Sequence, residues 1–194
     1  MALDRYSLAM IEPRVQGASV LCLGYPEHPA GVETIGWLRA IGARNVEVVD
    51  VIAHFGCERI VDLNEPQQWP PIYDLVINPG TLEHCFNVGV AWANAWAAVS
   101  GGGWAVHVFP ASMLNHGFWN VSPVAINDWC AANGGIVEAM RYALNGSGEE
   151  VRPSRQIGVA TGRPSLPSET VLYALCRKIE DKPTTWPAQG VYRR

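Results

Sequence analysis

The sequence predicts a single α/β domain of Rossmann-like type, a mostly parallel sheet with helices on both faces. Three observations predict it. Short apolar runs alternate with stretches of helical period, the pattern of successive βα units. Four of those runs close on a small or polar residue, Gly24, Asp50, Asp62 and Asn78, where an open α/β sheet presents its ligand crevice. Finally, 194 residues with 48% apolar and 16% charged side chains suit one well-filled core and are too few for two.

Residues 18–23 read as a buried first strand, stopped by Gly24-Tyr25-Pro26. A helix is expected over 30–43, with Val32, Ile35, Leu38 and Ile41 on one stripe. Residues 46–49 form a second strand ending at Asp50, and 59–62 a short third. The Pro70-Pro71 breaker precedes a fourth strand over 73–78. The next helix is expected over 86–99. Val88, Trp92, Trp96 and Val99 share one face, and its tryptophans read as packing against the sheet. Gly101-Gly102-Gly103 ends that helix, and 104–109 make a fifth strand. Ser122 is placed as an N-cap with Pro123 at the first helical position and Asn133-Gly134 as the stop. Residues 135–144 and 170–177 are the last two strands. The chain thus divides into an N-terminal extension (1–17), the domain (18–182, with a long irregular insertion at 145–168) and a C-terminal tail (183–194).

Composition narrows the function. Eight of fourteen basic residues and three of eighteen acids fall in 151–194, so this stretch carries net +5 and the rest net −9. The main body therefore lacks the basic surface of a general nucleic-acid binder. No apolar run reaches the roughly 20 residues of a membrane span, and the N-terminus lacks the build of a secretory signal, so a cytoplasmic protein is expected. The five cysteines show no disulfide framework. His54, Cys57, His84 and Cys85 do not make a zinc pattern: adjacent residues rarely both reach one tetrahedral ion, and no CxxC pair is present. No metal site is expected.

Asp50 is the most informative candidate, because an acid closing an apolar strand needs solvent or a partner, and a ribose diol is such a partner. Asp62 beside Leu63 offers a polar and an apolar contact of the kind an adenine ring takes. Gly24 permits close approach of the backbone, and Asn78-Pro79-Gly80 closes the fourth strand near where a reacting group would lie. The segment Tyr73-Asp74-Leu75-Val76-Ile77-Asn78 followed by Thr81-Leu82-Glu83-His84 resembles the fourth-strand-plus-LEH block of class I S-adenosylmethionine-dependent methyltransferases. Val20-Leu21-Cys22-Leu23-Gly24, Asp50, Asp62-Leu63-Asn64 and Gly101-Gly102-Gly103 follow in that family's order. His116-Gly117-Phe118-Trp119-Asn120-Val121-Ser122-Pro123 resembles its substrate-side segment. The resemblance spans about residues 18–144.

It implies a seven-stranded sheet of order 3-2-1-4-5-7-6 with only the seventh strand antiparallel. It also implies S-adenosylmethionine as cofactor: Asp50 on the ribose, Asp62 and Leu63 on the adenine, Gly24 near the methionine portion and Asn78 close by. His116 is the candidate general base or acceptor-orienting group, since its ordinary pKa lies near neutrality. Glu83 and His84 are expected to cap or pack at the following helix start. The motif departs from the family at two points. Cys22 replaces an acid, and Gly24-Tyr25-Pro26 replaces a glycine-rich turn, so Tyr25 must either fill the methionine end of the crevice or turn away from it.

Two functions fit: methyl transfer to a small-molecule acceptor, or a methyltransferase-like domain that does not catalyse and serves as a binding or structural component of an assembly. A hydrolase lacks GxSxG. Under the second function, 145–168 and the tail, with Trp186 and Tyr192, are expected to contact a protein partner or a second copy.

Overall fold

The computed structural model describes residues 3–54, 56–70, 72–152 and 165–190. Residues 153–164 of the insertion and 191–194 of the tail, Tyr192 among them, lie outside the described residues. In chain order the elements are α1 (Arg5–Ile11), β1 (Ser19–Leu23), α2 (Thr34–Ala40), β2 (Asn45–Asp50), β3 (Arg59–Ile60), β4 (Tyr73–Asn78), α3 (Val88–Ala98), β5 (Val99–Ser112), α4 (Pro123–Ala132), β6 (Gly135–Leu144) and β7 (Thr170–Lys178). The strands make one sheet of order β3-β2-β1-β4-β5-β7-β6. β1 to β5 pair in parallel, and β7 runs antiparallel to both its neighbours. This is the expected order and orientation.

Alternation along the central strands divides the core into two layers. Leu21 and Leu23 of β1 and Val76 of β4 face α3 and α4, packing with Trp92, Trp96 and Trp129. Val20, Cys22, Leu75 and Ile77 face the other side, with Met10 and Ile11 of α1 and Ile35 and Leu38 of α2. The tryptophans of α3 are buried packing residues. Lys178 closes the C-terminus of α3: its buried Nζ donates to the carbonyls of Trp96 and Val99 and pairs with Asp181 at 2.6 Å. Cations favour that end of a helix, where carbonyls lack intrahelical partners.

Three elements differ from the sequence expectation. The helix expected over 30–43 is shorter, because Gly31 takes a left-handed φ of +68°. Glu33 then caps α2, its carboxylate accepting from the amides of Ile35 and Gly36 at 2.9 and 2.6 Å. The glycine run lies within β5 rather than before it. Tyr73 pairs with Val99 but Leu75 with Trp104, so 100–103 bulge out of the ladder. Within 1–17, α1 is a helix that sequence periodicity did not reveal. Asp4 accepts from the amides of Tyr6 and Ser7 while Ser7 Oγ accepts from the Asp4 amide, a closed capping box.

Candidate functional site

The carboxyl ends of β2, β3 and β4 enclose a crevice of about 310 Å³, lined among others by Asp50, Asp62, Leu63, Thr81, His84 and Cys85. Strand order explains the position: β1 lies between β2 and β4, and the chain leaves it to opposite sides there. Asp50 Oδ1 accepts from the Val51 amide at 2.7 Å, and Oδ2 lies 3.0 Å from His54 Nε2. Its side chain stays 22% exposed, so lone pairs still face the crevice. Asp62 Oδ1 accepts from the backbone and side-chain nitrogens of Asn64 at 2.9 and 2.8 Å. These bonds hold the Asp62 carboxyl below its ordinary value. Leu63 is buried beside it, and its carbonyl accepts from Asn94 of α3 at 3.0 Å.

Gly24 and Asn78 shape the crevice from beneath. Gly24 has φ +78°, and its amide donates to Val49 at 2.7 Å. A Cβ there would meet Thr81 Oγ1 at 2.4 Å, so glycine is required twice over, by conformation and by contact. The Thr81 hydroxyl donates to the Leu23 carbonyl at 2.5 Å and thus bridges β1 and the turn after β4. Asn78 is fully buried. Its Oδ1 accepts from the amides of Thr81 and Leu82 at 2.8 and 3.2 Å, fixing the turn. Neither Gly24 nor Asn78 belongs to the crevice wall itself. Tyr25 is also absent from it; its hydroxyl donates to Glu33 at 3.0 Å and its ring stands edge-on to His54. Cys22 faces the α2-side core, where burial pushes its thiol up to about 12.

His116 meets the crevice through Glu83 and His84. Leu82–His84 form a 3₁₀ turn before α3, and neither Glu83 nor His84 caps that helix, whose N-cap Asn87 makes no side-chain cap bond. This corrects the capping role expected of them: the turn carries Glu83 inward, away from the helix end. Glu83 is fully buried, with His116 Nε2 at 3.6 Å from Oε1. Its oxygens find no partner beyond the residue's own amide, and burial pushes its carboxyl up to about 7. The His116 loop is braced on this turn. The Phe118 amide donates to the Glu83 carbonyl at 2.9 Å, Trp119 Nε1 donates to the Cys85 carbonyl at 3.1 Å, and Asn120 binds both the amide and carbonyl of Met113. Phe86 and Phe118 lie exposed beside it, 5.5 Å apart edge to face.

The structure thus brings Asp50, Asp62 and Leu63 to one crevice, sets Gly24 and Asn78 under it, and places His116 at its margin. Sequence reading did not find Thr81 or Cys85 as wall residues, nor the burial of Glu83. The signal for Glu83 was a carboxylate between Leu82 and His84 in a short turn.

A second crevice, apolar and of about 420 Å³, lies between α3, α4 and residues 186–189. Trp186 packs 6.0 Å from Trp129, and the amides of Thr185 and Gly190 donate to Asn133 and Asp128. Residues 185–190 are therefore anchored on their own chain. No helix among the described residues is long and apolar enough to cross a membrane.

No protein-family profile matches the sequence, and no curated protein matches it. Solved structures do. The 1,6-didemethyltoxoflavin-N1-methyltransferase of Burkholderia thailandensis, solved with bound 1,6-didemethyltoxoflavin and S-adenosylhomocysteine, is similar at TM-score 0.62 and 14% identity, over 91% of this chain and 78% of that one. The N-methyltransferase NodS of Bradyrhizobium japonicum, solved with S-adenosylhomocysteine, is similar at 0.59 and 14%, over 90% and 86%. A methyltransferase of Thermotoga maritima is similar at 0.51 and 10%, over 89% and 87%. By its strand order and these likenesses, the chain has the fold of class I S-adenosylmethionine-dependent methyltransferases.

Proposed function

We propose that the chain transfers a methyl group from S-adenosylmethionine to a small-molecule acceptor. The observation that supports this most is the convergence of Asp50, Asp62 and Leu63 on one crevice at the β1/β4 switch of the sheet. The donor set fits the adenosine half of the cofactor. Asp50 would accept from the ribose hydroxyls, Asp62 from the adenine amine, and Leu63 with Val51 and Val61 would wall the ring. When bound, the cofactor supplies an electrophilic methyl on its sulfonium; the protein's part is to align the acceptor and exclude water. His116, backed by Glu83, is the polar group on the acceptor side, and the exposed rings of Phe86 and Phe118 beside it suit a flat apolar acceptor.

One observation favours the second function, a component of an assembly that neither takes up the cofactor nor catalyses: Thr81 Oγ1 occupies the space over Gly24 where the methionine portion would lie. Rotation of the Thr81 side chain about Cα–Cβ vacates that space at the loss of one hydrogen bond, about 1 kcal/mol. Calorimetric titration with S-adenosylhomocysteine decides between them. Methyl transfer requires a single site per chain with affinity improved, or unchanged, in Thr81→Ala. Absence of binding in both proteins would remove the methyl-transfer reading.

A further inference from the structure

Glu83 is the group that the cofactor crevice leaves unexplained. Its side chain is fully buried, and among the described residues no lysine or arginine pairs with it. An ionised carboxylate so placed is strongly unfavourable unless a cation or donors meet it. Two imidazoles are turned toward it. His116 Nε2 is itself buried without a hydrogen-bond partner, and the His84 ring centroid is 5.3 Å from that of His116. Adjacent residues rarely both reach one ion, but the 3₁₀ turn at Leu82–His84 brings this pair together: one donor atom from each of Glu83, His84 and His116 lies within 4.8 Å of the other two.

The spacing is informative. A Glu83–His116 separation of 3.6 Å is too long for a hydrogen bond. Two donors bound to one tetrahedral ion, each about 2.1 Å from it, lie roughly 3.4 Å apart. Two imidazoles and one carboxylate are the ligands that borderline divalent ions take, and three protein ligands leave a position open.

We propose that Glu83, His84 and His116 bind a divalent transition-metal ion of zinc's size and ligand preference at the margin of the crevice. His84 lines the crevice and is exposed, which gives the ion its entry path and directs its open position toward the crevice. The backbone bonds from Phe118 and the side chain of Trp119 to the Glu83–Cys85 turn hold the two halves of the site in register. The open position suits an acceptor that presents an oxygen or nitrogen atom; only that assignment rests on the methyl-transfer reading, and His116 then acts on the acceptor through the ion.

The test is calorimetric titration of chelator-treated protein with Zn²⁺, with S-adenosylhomocysteine titrated into the same samples. One equivalent of Zn²⁺ should bind to the wild type, and Glu83→Gln and His84→Ala should each weaken Zn²⁺ binding at least tenfold. If Glu83→Gln fails to fold, the exposed His84→Ala carries the comparison. Absence of stoichiometric Zn²⁺ binding in the wild type, or unchanged binding in the folded variants, overturns the proposal. Zinc bound as described without S-adenosylhomocysteine binding leaves the metal site standing and removes the methyl-transfer reading; the reverse result removes only the metal site.

Discussion

Asp50 shows how one residue's surroundings divide between holding the fold and holding a ligand. Its two recorded partners, the Val51 amide and His54, belong to the loop that follows β2, and none lies in the core. Asp50→Ala should therefore weaken S-adenosylhomocysteine binding by about 1.5–3 kcal/mol, roughly ten- to hundredfold, with little change in the unfolding midpoint; unchanged affinity would remove the ribose role. Asp50 was legible in sequence because an acid ends an apolar strand there, and Asp62 through its place beside Leu63, although β3 is only Arg59–Ile60 and stops short of the expected 59–62. The approach of His116 to Glu83 was not, since a helix and a strand separate them in the chain and only tertiary packing joins them. His107 was not singled out either. It lies in β5, stacked on Phe109 at 5.3 Å, with both ring nitrogens unpartnered. Burial pushes its pKa down to about 4 from 6.5. The unfolded chain then binds more protons than the folded one between those values, so this contribution is intact above about pH 6.5 and is lost as pH falls toward 4. Urea unfolding of wild type and His107→Phe at pH 7 and pH 4.5 should show the wild type losing on the order of 2–3 kcal/mol more. Glu83 titrates with the opposite sign but is common to both proteins, so the difference isolates His107. Parallel losses would contradict it.

At the scale of elements, the strands were the most legible because β1 is buried throughout and β4 at every position but Asp74, so both read as short, mainly apolar runs. The boundaries of α2 and β5 were less so, since Gly31 and Gly101–Gly103 mark turns equally well before or within an element. α1 escaped because a seven-residue helix shows little periodicity, and its stability comes from packing and from its cap. Asp4 both closes that capping box and accepts a hydrogen bond from the Tyr173 hydroxyl of β7. Asp4→Ala should thus destabilise the protein by about 1–3 kcal/mol, measured by urea unfolding, and Asp4→Asn should recover part of the loss. No loss in Asp4→Ala would mean that α1 adds nothing to the fold. The loop of His116 obeys the same logic. Asn120 ties it across its base, so Asn120→Ala should impair acceptor-side function while sparing cofactor binding.

For the whole molecule, the sheet order carries the argument from pattern to function. Alternating strands and helices imply only a parallel α/β sheet. The order β3-β2-β1-β4-β5-β7-β6 places the ends of β2, β3 and β4 around one crevice and the β5–α4 loop, with His116, at its margin. Under the proposed function, cofactor and acceptor sides are then adjacent, as group transfer requires. The tail through Gly190 folds back on α4. The methyl-transfer reading needs one crevice to hold the cofactor with its reactive end toward Glu83, His84 and His116. A crystal structure with S-adenosylhomocysteine is the decisive measurement. Ribose hydroxyls should lie within hydrogen-bond distance of Asp50, adenine against Leu63, and the sulfur on the His116 side. A ligand seated elsewhere, or a crevice still closed by Thr81 over Gly24 at saturating S-adenosylhomocysteine, would contradict it.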